Sequence, residues 1–389
     1  MKIKIIIKSA IVFLVKSASL LVPKSKKIWL FGAWKGKAYS DNSKYMFEYL
    51  HKENSGKRLV WLSRDKGIVN MLTQNGYEAY NMMSIKGLWF ASRGSVAFCT
   101  EGIIDVSVFL NRKTKIIQLW HGMGSKAMKW KLKNGKISTD VKRAQKRYSR
   151  QYWISTSELY TNTLHDLLGV PKERFVITGY PRNDNLLFAP YNENMENLKK
   201  THKGCKFIVY MPTHRNFGKD GNNHINIEEL KRVDKLICEK NLVMVYKPHI
   251  HELKNFVEYE NEFSNIVLAK EQDVWGDVYS YLHYFDLLIS DYSSILTDFM
   301  CMGKPVVLFP YDIDEYIADD AGLNEYFWRI PGGPMGYTWD EVLEHTEILL
   351  QNDTWKEERE KCRQEYHHYN DGKNCERVYS MVKEILKVK

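Results

Sequence analysis

Short runs of β-branched and aromatic residues recur along this chain, and each is closed by a cluster of polar residues. KIWLFG (27–32) and RLVWLS (58–63) have the composition of buried strands, and residues 42–53 between them carry helical spacing. Val96–Thr100, Lys115–Trp120, Tyr152–Thr156 and Phe175–Thr178 continue the alternation. A polar stretch at 190–205 (PYNENMENLKKTHKGC) reads as a linker, after which the pattern restarts at Lys206 and runs to about Pro310. Residues 354–389 are charged and periodic and predict one or two C-terminal helices. Strands separated by helices pair in parallel through right-handed crossovers. The expected fold class is α/β, with two doubly wound, Rossmann-like domains and a cleft between them. Residues 23–190 make the first domain, 205–353 the second and 354–389 the terminal helices, with 1–22 standing apart. A chain of 389 residues is long enough for two cores.

The first 22 residues, MKIKIIIKSAIVFLVKSASLLV, are apolar but fit neither a membrane span nor a signal peptide. Lys4, Lys8 and Lys16 interrupt the run before it reaches the roughly 18 uncharged residues that a span needs. No small-residue cleavage site precedes Pro23. Lysines at this spacing fit a helix lying in the membrane interface. The plainer alternative is a first helix packed on the domain core.

The formal charge is 57 − 47 = +10, and the excess is local. Between Lys126 and Arg150 ten Lys/Arg stand against one acid, Asp140. Such a run is a solvated face, or a contact for an anionic membrane surface, a polyanionic substrate or nucleic acid. No aromatic-rich recognition motif flanks it, so no nucleic-acid partner is expected. The six cysteines show no C-x-x-C spacing and no disulfide framework, as in a reduced, cytosolic protein. The expected location is the cytoplasmic face of the cell membrane, as a peripheral protein; a homo-oligomer is left open.

What the apolar runs end on turns this outline into chemistry. KIIQLW (115–120) leads into His121-Gly122, and RFVIT (174–178) into Gly179-Tyr180-Pro181-Arg182-Asn183-Asp184. KFIVY (206–210) leads into Met211-Pro212-Thr213-His214-Arg215, and NLVMVY (241–246) into Lys247-Pro248-His249. DLLI (286–289) leads into Ser290-Asp291-Tyr292-Ser293-Ser294. In open α/β sheets ligands bind beyond the carboxyl ends of the strands. Clusters rich in His, Arg, Lys and hydroxyls at those ends describe a site for an anionic substrate.

His121 is followed by Gly122 and Gly124, as where backbone must approach a ligand. Its imidazole suits a general base acting on a hydroxyl. His249, beside Lys247 and Pro248, suits stabilising or protonating a leaving phosphate. Arg182 and Arg215 offer planar forks for phosphate oxygens. Ser293 and Ser294 open a helix expected from Ile295 to Met302, ended by Gly303. They either cap that helix or join its free N–H groups in cradling phosphate. His249 and His251 have a metal-ligand spacing, and Asp312 and Asp314 in PYDIDEY look like a cation site. No carboxylate cluster accompanies the histidines and a turn accounts for the aspartates, so no metal and no cofactor are expected. No P-loop and no G-x-G-x-x-G follows a strand, which argues against a kinase, an NTPase and a dinucleotide dehydrogenase.

Taken together, seven segments resemble the motifs of the CDP-glycerol:poly(glycerophosphate) glycerophosphotransferase family, the primases and polymerases of wall teichoic acid. They are QLWHG (118–122), GYPRND (179–184), the P-T-x-R of MPTHR (211–215), Lys247-Pro248-His249, SDYSSILTDF (290–299), PYDIDEY (310–316) and YNDGK (369–373). They occur in the family's order, and the SDN-containing segment Tyr39–Asn42 adds to them. The resemblance implies a GT-B fold, attachment to the inner leaflet and a CDP-alditol donor bound mainly by the second domain, with 23–190 on the acceptor side. It implies His121 as catalytic base, His249 as a catalytic residue at the diphosphate, and Ser293 and Ser294 near the donor phosphates. The remaining matches, Gly122, Arg182, Asn183, Asp184, Thr213, Arg215, Lys247, Pro248, Asp291, Tyr292 and Asp298, are implied to bind substrate.

The expected reaction moves glycerol phosphate, or a related alditol phosphate, from CDP-glycerol or CDP-ribitol and releases CMP. Its acceptor is a hydroxyl of an undecaprenyl-diphosphate-linked teichoic acid or capsule chain. The alternative is a GT-B glycosyltransferase using a nucleotide sugar for cell-surface polysaccharide. Family polymerases follow His-Gly with Thr-Pro, where this chain has Met123-Gly124-Ser125, and His214 stands at the tryptophan of P-T-W-R. The glycine-rich loop leans towards a primase-like or capsule-type member.

Overall fold

The computed structural model describes residue 17 and residues 21–122, 139–213, 226–248, 257–269, 276–319, 323 and 332–387. Most of the 1–22 segment, residues 126–138 of the basic run, and His214, Arg215, His249 and His251 lie outside the described residues. The chain divides into two compact units. The first comprises Met1–His121, Thr139–Asp184 and Asp371–Lys389; the second comprises Gly122–Ser138 and Asn185–Asn370.

The strands of the first unit are β1 (Ser25–Phe31), β2 (Arg58–Ser63), β3 (Ala79–Asn81), β4 (Gly94–Cys99), β5 (Lys115–Gln118), β6 (Tyr152–Ser155) and β7 (Phe175–Ile177). They form a parallel sheet in the order β3-β2-β1-β4-β5-β6-β7. Its helices are α1 (Asp41–Lys52), α2 (Lys66–Gln74), α3 (Ile85–Arg93), α4 (Thr139–Tyr148), α5 (Glu158–Leu168) and the start of α6 (Pro181–Phe188). The second unit holds α7 (Glu193–Thr201), β8 (Lys206–Met211), α8 (Ile227–Glu239), β9 (Leu242–Tyr246), β10 (Ile266–Leu268), β11 (Leu287–Ser290), α9 (Ile295–Met300) and β12 (Val306–Leu308). It ends with α10 (Ile313–Asp319), α11 (Trp339–Gln351) and α12 (Lys356–Tyr366), and its parallel sheet runs β10-β9-β8-β11-β12. The last helix, α13 (Asn374–Lys387), returns to the first unit.

Parallel sheets flanked by crossover helices bury both faces, so their strands read as continuous apolar runs. Trp29, Leu30 and Phe31 are fully buried in β1, as are Val243, Met244, Val245 and Tyr246 in β9. Side-chain caps start the helices that follow. Asp65 accepts from Ile68 N, Ser84 from Gly87 N and Ser157 from Tyr160 N.

Three features differ from the sequence reading. β3 and β10 are three-residue edge strands, too short to carry a pattern. The polar stretch at 190–205 contains α7, which Asn192 caps and which buries Met195. The two terminal helices belong to different units, because α13 packs on α1 and buries Val378, Met381 and Val382.

In each sheet the chain reverses its direction of progress between neighbouring strands. That switch falls between β1 and β4 in the first unit and between β8 and β11 in the second. Crevices at the carboxyl ends of such strands are where doubly wound sheets hold ligands.

Candidate active site

In the first unit the chain leaves β5, turns at Trp120 in a left-handed conformation (φ 55°), and reaches His121. His121 Nδ1 lies 3.1 Å from Thr100 O, just beyond β4. A carbonyl oxygen only accepts, so Nδ1 carries the proton and Nε2 is the basic nitrogen of the neutral ring. The indoles of Trp120 and Trp34 approach the imidazole, with ring centroids 4.3 and 5.4 Å away.

Buried side chains fix this turn. Asn42 Nδ2 donates to Leu119 O (3.1 Å) and Trp120 O (3.0 Å), and its Oδ1 accepts from Arg182 N (3.2 Å). Arg182 Nη1 donates to His121 O (2.8 Å) and to Asp41 Oδ1 (2.7 Å). Arg182 and Asp41 are 3% and 5% exposed. Burial pushes the Asp41 carboxyl above its ordinary value, against the pull of Arg182 and His121. Arg182 is therefore a strut behind His121, whereas the sequence pointed to an open fork for phosphate.

The rest of GYPRND closes on the end of the chain. Gly179 (φ 77°) has no room for a side chain, since a Cβ would stand 2.2 Å from Asn374 Oδ1. Asn374 Nδ2 donates to Tyr180 O (3.0 Å), and Asp184 accepts from the backbone N–H groups of Asn374 (2.9 Å) and Cys375 (2.8 Å). Asp184 thereby satisfies donors that the first turn of α13 would leave orphaned. Asp184 and its neighbour Asn183 are both buried.

In the second unit the ends of β8, β9 and β11 lie side by side. Asp291 accepts from Thr213 N (2.8 Å), Thr213 Oγ1 (2.6 Å) and Tyr292 N (2.6 Å), tying the two loops together across the switch point. Tyr292 donates its hydroxyl to Asp312 (3.1 Å) and stacks on Tyr316 at 4.0 Å. Asp298 accepts from Tyr279 OH (2.6 Å). Asp291, Tyr292, Asp298 and Asp312 are all buried, and a buried carboxylate would repel a phosphate. In this structure these side chains hold the loop from within.

What the loop offers outward is different. Ser293 and Ser294 are partly exposed, and Ser294, at the N-cap of α9, makes no side-chain cap bond. Thr213 is partly exposed as well. Lys247 is fixed by its backbone bond to Tyr210 O (2.9 Å) and followed by the buried Pro248. Burial holds its ammonium below the ordinary range, against the pull of Asp277. A desolvated cation gains more from a phosphate than a hydrated one. Gly122 is buried with φ 139°, a conformation that excludes most side chains. Among the described residues no group of three His, Cys, Asp or Glu could hold a metal ion.

Sequence reasoning did not find the roles of Asp41, Asn42 and Thr100. Only the SDN segment signalled the first two; Thr100 carries no motif.

Two doubly wound sheets with loops gathered at their switch points define a GT-B-type transferase fold. Residues 14–384 match the CDP-glycerol:poly(glycerophosphate) glycerophosphotransferase family, and the chain belongs to that family. It is an enzyme of glycerophosphate transfer. Over 340 residues it is 27% identical to the teichoic acid poly(glycerol phosphate) polymerase of Bacillus spizizenii, covering 83% of this chain and 84% of that one. Over 322 residues it is 25% identical to the teichoic acid glycerol-phosphate transferase of Staphylococcus aureus, covering 79% and 80%. The solved wall teichoic acid polymerase TagF shares the fold, with a TM-score of 0.78 at 21% identity over 96% of this chain and 93% of that one. That polymerase has also been solved after a soak with CDPG.

Proposed function

We propose that this enzyme transfers glycerol phosphate from CDP-glycerol to a hydroxyl of a lipid-linked teichoic acid or capsule acceptor, releasing CMP. The observation that carries the reading is His121, a ring whose Nδ1 is occupied by Thr100 O and whose backbone is braced by Arg182 and Asn42. Such a ring presents one basic nitrogen in one orientation, as a general base requires.

In the proposed step the acceptor oxygen attacks the β-phosphorus of the donor, and its proton passes to His121 Nε2. The bond from the β-phosphorus to the bridging oxygen breaks, and that oxygen leaves with CMP. Positioning and charge stabilisation supply most of the rate in phosphoryl transfers. Lys247, Ser293 and Ser294 are the donor-phosphate residues we assign in the second unit. Arg215 and His249 join them on the strength of the motif match alone, since both lie outside the described residues. The test is CMP release by the purified enzyme on a lipid-linked acceptor, with CDP-glycerol, CDP-ribitol or a UDP-sugar as donor. CDP-glycerol is expected to be used, and turnover of the UDP-sugar alone would overturn the reading in favour of a glycosyltransferase.

Attachment to the inner leaflet is part of the proposal. Lys142, Lys146, Arg147 and Arg150 are exposed on and just after α4, and Lys4, Lys8 and Lys16 punctuate the first segment. Each well-placed cation contributes about 1 kcal/mol towards anionic lipid. No helix among the described residues is long and apolar enough to cross a membrane. Deleting residues 1–22 is expected to reduce flotation with anionic liposomes, and high salt to reduce it further. Salt-insensitive flotation would contradict a peripheral attachment.

A further inference from the structure

Just after β1, at the switch point of the first sheet, the backbone does something unusual. Trp34, Lys35 and Gly36 are consecutive left-handed residues, with φ of 48°, 59° and 75°. Two of the three carry side chains, so the turn is strained and persists only because its surroundings fix it. Asp105, fully buried, accepts from the backbone N–H groups of Lys35 (2.7 Å), Thr100 (2.8 Å) and Glu101 (2.7 Å). Thr100 Oγ1 accepts from Trp34 N (3.3 Å), and Gly36 O accepts from Ser63 Oγ (2.8 Å) and Arg64 N (2.7 Å). Gly32 is pressed so close that a Cβ there would stand 2.1 Å from Asp105 O.

This scaffolding leaves a large indole 38% exposed, with its ring centroid 5.4 Å from that of His121. Trp29, Trp61 and Trp153 are fully buried in the same unit, so the exposure of Trp34 is not forced by a lack of core. Beside it Lys35 Nζ and Glu101 Oε2 pair at 3.3 Å, with side chains 59% and 20% exposed. An aromatic face, a carboxylate and an ammonium together suit a polyhydroxylated ligand. Its C–H face lies on the indole, and its hydroxyls exchange hydrogen bonds with the charged pair.

We propose that Trp34 is the platform of an acceptor site, on which the sugar or polyol bearing the attacking hydroxyl stacks beside His121. Glu101 and Lys35 form the hydrogen-bonding rim of that site. The inference rests on reading His121 as the base, because a base must lie within about 3.2 Å of the oxygen whose proton it takes. The ligand that stacks on Trp34 is therefore the one that carries the nucleophile.

The test replaces Trp34 by Asn, which tolerates a left-handed backbone, and by Phe, which keeps a ring. A soluble alkyl disaccharide ending in one glycerol phosphate serves as probe, titrated calorimetrically into each protein, with transfer kinetics run in parallel. W34N is expected to weaken probe binding and raise the acceptor KM by about tenfold or more, and W34F by about threefold or less. The KM for CDP-glycerol should stay within about twofold, since the donor's phosphate residues are assigned to the other unit. Thermal melting equal to wild type guards against a folding defect. Unchanged probe binding in W34N would overturn the inference, as would a rise in donor KM alone or a wild type that does not bind the probe. If the wild type binds the probe through Trp34 yet transfers nothing from CDP-glycerol, the functional reading fails and the sugar site stands.

Discussion

Replacing His121 by Ala is expected to lower glycerophosphate transfer by about 10²- to 10⁴-fold, the usual contribution of a general base. The protein should remain folded, because the imidazole makes one hydrogen bond to Thr100 O and the backbone of the turn is held independently by Arg182 and Asn42. Losing that single bond costs about 0.5–1.5 kcal/mol. A second variant separates base from brace. In His121→Asn an amide N–H can still donate to Thr100 O, but no group remains that takes a proton. It should melt like wild type and be as inactive as the Ala variant. Initial rates of CMP release, with melting curves in parallel, decide the matter. Near wild-type turnover in either variant would remove His121 from the chemistry.

Arg182→Ala is expected to have the largest effect on stability, about 3–5 kcal/mol, because it strands the Asp41 carboxylate in the interior. Asp41 sits 2.7 Å from Arg182 Nη1 with both side chains buried, so water cannot take over from the lost guanidinium. Activity should fall as well, because the same Nη1 holds His121 O at 2.8 Å. Adding Asp41→Asn to Arg182→Ala removes the stranded charge and should recover part of the stability but not the activity. Denaturant melts of the single and double variants, read as a cycle, measure the coupling. Additive losses would mean that the pair is not the brace described.

How much of this was legible in the sequence follows from where the information lies. β1, β8 and β9 were readable because burial on both faces leaves Ile28–Phe31, Phe207–Tyr210 and Leu242–Tyr246 as unbroken apolar runs. β3 and β10 were not, since three residues at a sheet edge carry no periodicity. α7 was taken for a linker because only Met195 of its nine residues is buried. Within the site, the turn at His121 was legible because Gly122 and Gly124 follow it. The brace was not, because Arg182 and Asp41 are 141 positions apart and nothing local links them. The guanidinium of Arg182 looks the same in a sequence whether it grips a phosphate or a buried carboxylate. The motif GYPRND was found without its meaning, for Asp184 meets its partners 190 and 191 positions later in α13. The SDYSS loop divides similarly. Its hydroxyls were read for what they offer, whereas Asp291 and Tyr292 hold that loop from within.

Phosphoryl transfer from a CDP-linked donor is checked by following the phosphorus. CDP-glycerol labelled with ³²P at the β-phosphate is incubated with the purified enzyme and a lipid-linked acceptor, and products are separated. All label consumed is expected in the lipid fraction, with one unlabelled CMP released per label incorporated. Label left on a released nucleotide, or a lipid product that gains glycerol without phosphorus, would contradict it.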